Sequence, residues 1–180
     1  MPLLEVHQLI VRYPKSGQGK GTTVKPAVDG VSLQLEPGET LGIVGESGSG
    51  KTTLGRAILH LIPYQSGTIR YQGRDLADYN KRDWEVFRRK AQMIFQDPYG
   101  ALNPRMTVGN AISEVLRVHQ VVPRSEVQDR IGVLLGMVGL DSDYVSRYPH
   151  EFSGGQRQRI VLARALALEP DLLVADEPVS

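Results

Sequence analysis

The chain has 180 residues, with 21 Lys and Arg against 20 Asp and Glu, 41% hydrophobic residues and no cysteine. That is the composition of an ordinary globular domain with a core; near-neutral charge gives no global field toward nucleic acid, and without cysteine there is no disulfide framework or thiolate metal site, which agrees with a reducing compartment. The longest apolar run, Ile131 to Leu140, is ten residues long with three glycines, against about 20 for a membrane span, and Met1-Pro2-Leu3-Leu4-Glu5 lacks the basic and apolar parts of a secretory signal.

Residues 3–13 alternate imperfectly and predict a β-strand ending at Tyr13-Pro14, with a flexible polar loop from Lys15 to Lys25 after it. Val31, Leu33 and Leu35 alternate with Ser32 and Gln34, the pattern of a half-buried strand. Thr40-Leu41-Gly42-Ile43-Val44, entered from the turn Pro37-Gly38-Glu39, reads as a short buried strand. Next comes Gly45-Glu46-Ser47-Gly48-Ser49-Gly50-Lys51-Thr52, which fills every fixed position of the phosphate-binding loop G-x-x-x-x-G-K-S/T. Its glycines let backbone N–H groups curl around phosphate oxygens, and the following helix aims its positive dipole end at them. In this pattern Lys51 reaches the β- and γ-phosphates and the Thr52 hydroxyl ligates Mg²⁺. Leu54, Ala57, Ile58 and Leu61 then share one face of a helix stopped by Pro63.

Ser66-Gly67 opens a further short strand, Thr68 to Tyr71, closed by Gln72-Gly73, so the first part combines antiparallel strands with the phosphate-loop unit. Arg82 to Arg89 is predicted helical. The basic residues Arg82, Arg88, Arg89 and Lys90 are interrupted by Asp83 and Glu85 and read as a solvated face. Ala91 to Phe95 is a predicted buried strand, and the turn-rich stretch Gln96 to Pro104 marks a boundary. From Val108 to about Leu140 the pattern is helical, broken near Pro123, which predicts a helical subdomain inserted at 97–150.

Ser153-Gly154-Gly155-Gln156 has the capping-box form and opens a strong helix over Gln156 to Ala167. A structural cap accounts for the Ser and Gln. It does not account for two glycines in the first turn, each of which costs a helix about 1 kcal/mol relative to alanine. A cap that lets an anion approach bare N–H groups does. The apolar run Leu172 to Ala175 leads into Asp176-Glu177, placing this acidic pair at the carboxyl end of a predicted buried parallel strand, the edge where open α/β sheets bind ligands. There one carboxylate can hold a Mg²⁺ shell and the next can take a proton from attacking water.

The phosphate loop, Gln96 in Phe95-Gln96-Asp97, Phe152 to Gln156 and Leu172 to Glu177 occur in the order and spacing of ATP-binding-cassette (ABC) ATPases. The chain resembles that family over essentially its whole length. Within it, Gln96 to Pro104 and Tyr148 to Arg159 look like the subunits that drive oligopeptide, dipeptide and nickel importers. The resemblance implies an α/β P-loop NTPase core with an antiparallel β subdomain and an inserted helical subdomain, using ATP and Mg²⁺. It implies that Tyr13 stacks on adenine, although a surface tyrosine ending a strand reads equally well.

By the same resemblance Gly45, Glu46, Ser47, Gly48, Ser49, Gly50, Lys51, Thr52 and Thr53 wrap the triphosphate, Gln96 coordinates Mg²⁺ or the attacking water, Asp176 holds the metal through water, and Glu177 is the general base. Ser153, Gly154, Gly155 and Gln156 would cap the γ-phosphate held by a second, head-to-tail ABC subunit. The implied partners are that subunit, membrane permease subunits and, indirectly, an extracytoplasmic solute-binding protein, with no nucleic acid. The implied location is peripheral, on the cytoplasmic face of the bacterial cell membrane, with peptides as the cargo.

Family members continue past the acidic pair into a strand carrying a switch histidine. His7, His60, His119 and His150 all precede that pair, so the 180 residues are expected to be a C-terminally truncated cassette with poor turnover by itself. The alternatives are a non-transport ABC ATPase, against which the lack of cysteine, heptads or a second phosphate loop speaks, and a nucleotide-binding remnant without turnover.

Overall fold

Imperfect alternation at the start of the chain has a structural cause. In a computed structural model, which describes residues 1–13 and 25–176, β1 (Leu4–Val11) carries a bulge that shifts the register between Val6 and Leu9. One extra residue reverses the phase of a period-two pattern, so Leu4 and Val6 before it and Leu9 and Val11 after it are all buried. Gln8 takes the bulge at φ 48°, and its N–H donates to Ser32 Oγ at 2.9 Å. Gly67 passes so close that a Cβ on it would stand 2.7 Å from the His7 and Gln8 carbonyl oxygens.

The chain divides into two compact units, Met1–Arg88 and Arg89–Ser180. In the first, β1 is sandwiched between β2 (Val28–Leu35) and β3 (Ser66–Tyr71), and a short β4 (Arg74–Asp75) completes an antiparallel sheet of order β2-β1-β3-β4. The alternating burial of β2 matches its half-buried pattern. β1 ends at Val11, two residues short of the expected end at Tyr13-Pro14, and Pro14 with the expected loop through residue 24 lies outside the described residues.

The first helix, α1 (Lys51–Ile58), buries Leu54, Ala57 and Ile58. It stops before Pro63 is reached. His60 adopts φ 53°, and paired bonds from His60 N–H to the Ala57 carbonyl and from Leu61 N–H to the Arg56 carbonyl close the end. Leu61 therefore leaves the helix and is exposed, not part of its apolar face. The next helix, α2 (Lys81–Lys90), sets Trp84 against His60 with stacked rings 4.5 Å apart, and buries Phe87 edge-on to Tyr71.

The predicted strand Thr40–Val44 does not form: no described residue pairs with it, Leu41 and Ile43 are exposed, and Val44 is 96% exposed. Apolarity reports a tendency to be buried, but a strand exists only against a partner's ladder.

In the second unit β5 (Ala91–Ile94) and β6 (Leu172–Ala175) run parallel and in register, Ala91 opposite Leu172 and Ile94 opposite Ala175. Phe95 falls outside the strand and is 40% exposed, contrary to expectation. Leu172 is buried while Leu173 and Ala175 are exposed, so β6 is not the buried strand expected: among the described residues it has one strand neighbour, where full burial needs a sheet covered on both sides. Between the strands lie a one-turn helix α3 (Pro98–Ala101) inside the stretch read as turns, then α4 (Val108–Val118), α5 (Val127–Met137) and α6 (Gly154–Leu166). Their apolar faces share one core, including Val108, Ile112 and Leu116 from α4, Ile131, Leu134 and Leu135 from α5, and Ile160 from α6. Among the described residues no helix is long and apolar enough to cross a membrane.

Candidate phosphate site and signature helix

In the first unit the phosphate-loop residues 45–52 form a tight curl that delivers the chain into α1. Gly50 is the N-cap, at φ 98°, and a Cβ there would stand 2.1 Å from the Ala27 carbonyl oxygen, so no other residue fits. A glycine N-cap supplies no oxygen: no side chain caps α1, and no acidic residue occupies its first turn. The start of α1 is therefore a positive dipole end with backbone donors and no carboxylate in its own first turn. Lys51 Nζ lies within the curl, donating to the Gly45 carbonyl at 2.7 Å and the Glu46 carbonyl at 2.9 Å. Thr52 and Thr53 follow on the first turn, and the Tyr13 hydroxyl lies 3.2 Å from Thr53 Oγ1. Tyr13, Gly45, Glu46, Ser47, Gly48, Ser49, Gly50, Lys51, Thr52 and Thr53 thus converge on one helix start, with the Tyr13 ring partly exposed beside it. The donor set fits a nucleotide with its Mg²⁺: amides and an ammonium for phosphate oxygens, and a threonine hydroxyl for a hard cation.

In the second unit Gln96 follows β5 and Asp176 follows β6, with the Asp176 N–H donating to the Ile94 carbonyl at 2.9 Å. The in-register parallel pairing puts both at the carboxyl edge of neighbouring strands. Glu177 lies outside the described residues.

At the start of α6 the capping box is complete. Ser153 N–H donates to Gln156 Oε1 at 3.0 Å, and Gln156 N–H donates to Ser153 Oγ at 3.3 Å. Gly154 and Gly155, between them, are exposed; neither has a left-handed φ, and a Cβ on either would meet nothing within 4 Å. Neither conformation nor packing among the described residues calls for them. Gly132 and Gly136 of α5 are equally uncrowded, but they sit in a helix interior, away from a helix's unpaired N–H groups. The motif assigns no role to Arg157, which the structure buries directly beneath this turn. In sequence it is one of two arginines in Arg157-Gln158-Arg159, and only its place four residues after the N-cap hints that its stem folds back toward the cap.

The ABC transporter family profile matches residues 28–180. The chain belongs to the ABC transporter family. Among its ABC relatives, the ATP-binding protein YkfD of Bacillus subtilis, whose name assigns it to oligopeptide transport, is 51% identical over all of this chain and 54% of its own length. The glutathione import ATP-binding protein GsiA of Escherichia coli K12 is 50% identical over 99% of this chain and 29% of its own length. The chain therefore spans about half, or less, of these curated relatives. Among solved ABC structures, the bacterial cassette MJ0796, determined as a dimer, superposes with a TM-score of 0.83 at 27% identity, covering 97% of this chain and 74% of that one. The same cassette in a post-hydrolysis dimer bound to ADP and Pi gives 0.81 at 27% identity over 98% of this chain and 74% of that one. CbiO1 of Clostridium perfringens, part of the transporter complex cbiONQ, gives 0.79 at 25% identity over 97% of this chain and 65% of that one. The fold is that of the ABC ATPase cassette, as the motif order implies.

Proposed function

We propose that this chain binds Mg²⁺-ATP as the nucleotide-binding part of an ATPase subunit that powers import of a peptide-type solute. The observation that carries this reading is the start of α1, a helix N-terminus with no side-chain cap, no acidic residue in its first turn and the Lys51 ammonium held inside the preceding curl. Lys51 and the loop amides bind and orient the β- and γ-phosphates, Tyr13 offers its ring to the base, and Gln96 aligns the attacking water that Glu177 deprotonates. Thr52, Gln96 and Asp176 would hold Mg²⁺, which when bound offsets phosphate charge. Ser153, Gly154, Gly155 and Gln156 cover the γ-phosphate of a second, head-to-tail cassette, a role supported by two glycines that packing among the described residues does not require.

The names of YkfD and GsiA, each about half identical to this chain, support peptide-like cargo. The reading includes membrane permease subunits reached through a helical subdomain at 97–150, indirect cooperation with a solute-binding protein, and a place on the cytoplasmic face of the membrane. Binding of a fluorescent ATP analogue with and without Mg²⁺ tests it. Lys51→Ala is expected to weaken binding at least about tenfold, the scale of a lost charge-assisted contact. Equal affinity in parent and variant, or no Mg²⁺-dependent binding by the parent, defeats the proposal.

A further inference from the structure

We infer that Arg157 is a positioning residue that locks the start of α6, and with it the Gly154 and Gly155 amides, onto the segment leading into it; this rests on the signature-helix role proposed above. Arg157 is 8% exposed, one of few buried charged or polar residues among those described. Its own N–H makes the first helical bond, to the Ser153 carbonyl at 3.0 Å. Its side chain runs back toward the helix start, as helical side chains do, and Nη1 donates to the Pro149 carbonyl at 3.3 Å in a buried contact.

That carbonyl also accepts the Phe152 N–H at 3.3 Å, so one oxygen ties the approach turn both to itself and to the helix. The turn at Pro149–Glu151 is otherwise held by local contacts: Glu151 N–H donates to the Tyr148 carbonyl at 3.0 Å, and the Glu151 carboxylate accepts the Tyr148 N–H. Phe152 anchors it from the other side, buried and edge-on to Tyr144 with ring centres 5.3 Å apart.

A glycine pair is the most deformable start a helix can have. Amides that must meet a phosphoryl group within a fraction of an ångström need an external brace. The capping box fixes Ser153 and Gln156 to each other, but both belong to the same turn. Arg157 joins that turn to the segment preceding it. Guanidinium suits this place because its planar fork presents rigidly spaced donors, one of which reaches the Pro149 carbonyl.

The test compares the parent with Arg157→Met, Arg157→Lys and, for the underlying reading, Gly155→Asp. Amide hydrogen exchange, fluorescent ATP-analogue affinity and Mg²⁺-ATP-dependent self-association by sedimentation are measured on each. Arg157→Met is expected to speed exchange at Glu151 and Phe152, and to weaken self-association, each by about tenfold, while nucleotide affinity and exchange in α4 and α5 stay at parent values. Arg157→Lys is expected to recover part of both losses. Unchanged exchange at Glu151 and Phe152 overturns the brace. Faster exchange with unaltered self-association reduces Arg157 to a purely structural role and overturns the inference. If Arg157→Met does not fold, Arg157→Lys decides by the same criteria, with smaller changes expected. A Gly155→Asp variant that pairs like the parent, or a parent that does not pair with Mg²⁺-ATP, removes the signature-helix reading itself. Normal Arg157 variants beside a defective Gly155→Asp remove only the inference.

Discussion

The glycines of the phosphate loop and of the signature helix answer to different constraints. Gly50 is held by geometry, its φ of 98° and the Ala27 carbonyl 2.1 Å from a would-be Cβ leaving no room for a side chain. Gly154 and Gly155 are held by neither conformation nor packing among the described residues. Gly50→Ala is therefore expected to displace the Ala27 strand entry or the start of α1, lowering the urea midpoint and weakening Mg²⁺-ATP binding together. Gly154→Ala would leave the fold untouched. A Gly50→Ala chain with parental midpoint and affinity contradicts the account. Both glycine classes look alike in sequence; the phosphate-loop motif marks the first, and the energetic oddity of glycines in a helix start marks the second. Beyond its spacing from the N-cap, nothing in the sequence separates Arg157 from Arg159, because which arginine faces the preceding turn depends on how that turn packs.

At the scale of elements, the capped helix α6 and the amphipathic helices α4 and α5 follow their patterns, since local periodicity and caps suffice to set them. The end of α1 does not. Pro63 was the visible stop signal, yet His60 terminates the helix in a left-handed conformation, stacked on Trp84 and edge-on to Tyr64. Burial, then the nearby Arg88 charge, lower the pKa of His60 below its ordinary value. The folded state thus favours neutral imidazole, and the unfolded chain takes up its proton first as pH falls. The stabilisation is complete above the unfolded pKa of about 6.5 and declines as pH drops through it toward the lowered folded value. His60→Asn keeps a residue tolerant of left-handed backbone and removes the titration. Urea midpoints at pH 7.5 and 5.5 are expected to fall more in the parent than in His60→Asn, and equal falls would count against this assignment.

Over the whole molecule, apolar strand-like segments meet two different fates. Leu4 and Val6 find strand partners on both sides, Leu9 and Val11 pair with β2, and all four are buried, whereas Leu41, Ile43 and Val44 find none among the described residues and are exposed. An exposed, unpaired apolar run invites pairing with other chains. Ile43→Lys is accordingly expected to reduce concentration-dependent light scattering without changing the thermal midpoint; greater scattering or a lower midpoint would show that Ile43 is buried in solution. The sequence by itself determined the phosphate loop, the capping box, the helices and the family, because these rest on local spacing, caps and dihedral preferences that travel with the residues. Only the tertiary structure decided which strands exist, where the β1 bulge reverses the alternation, how α1 ends and which arginine braces the signature turn. Those outcomes depend on partners distant in the chain, and no local pattern encodes a neighbour.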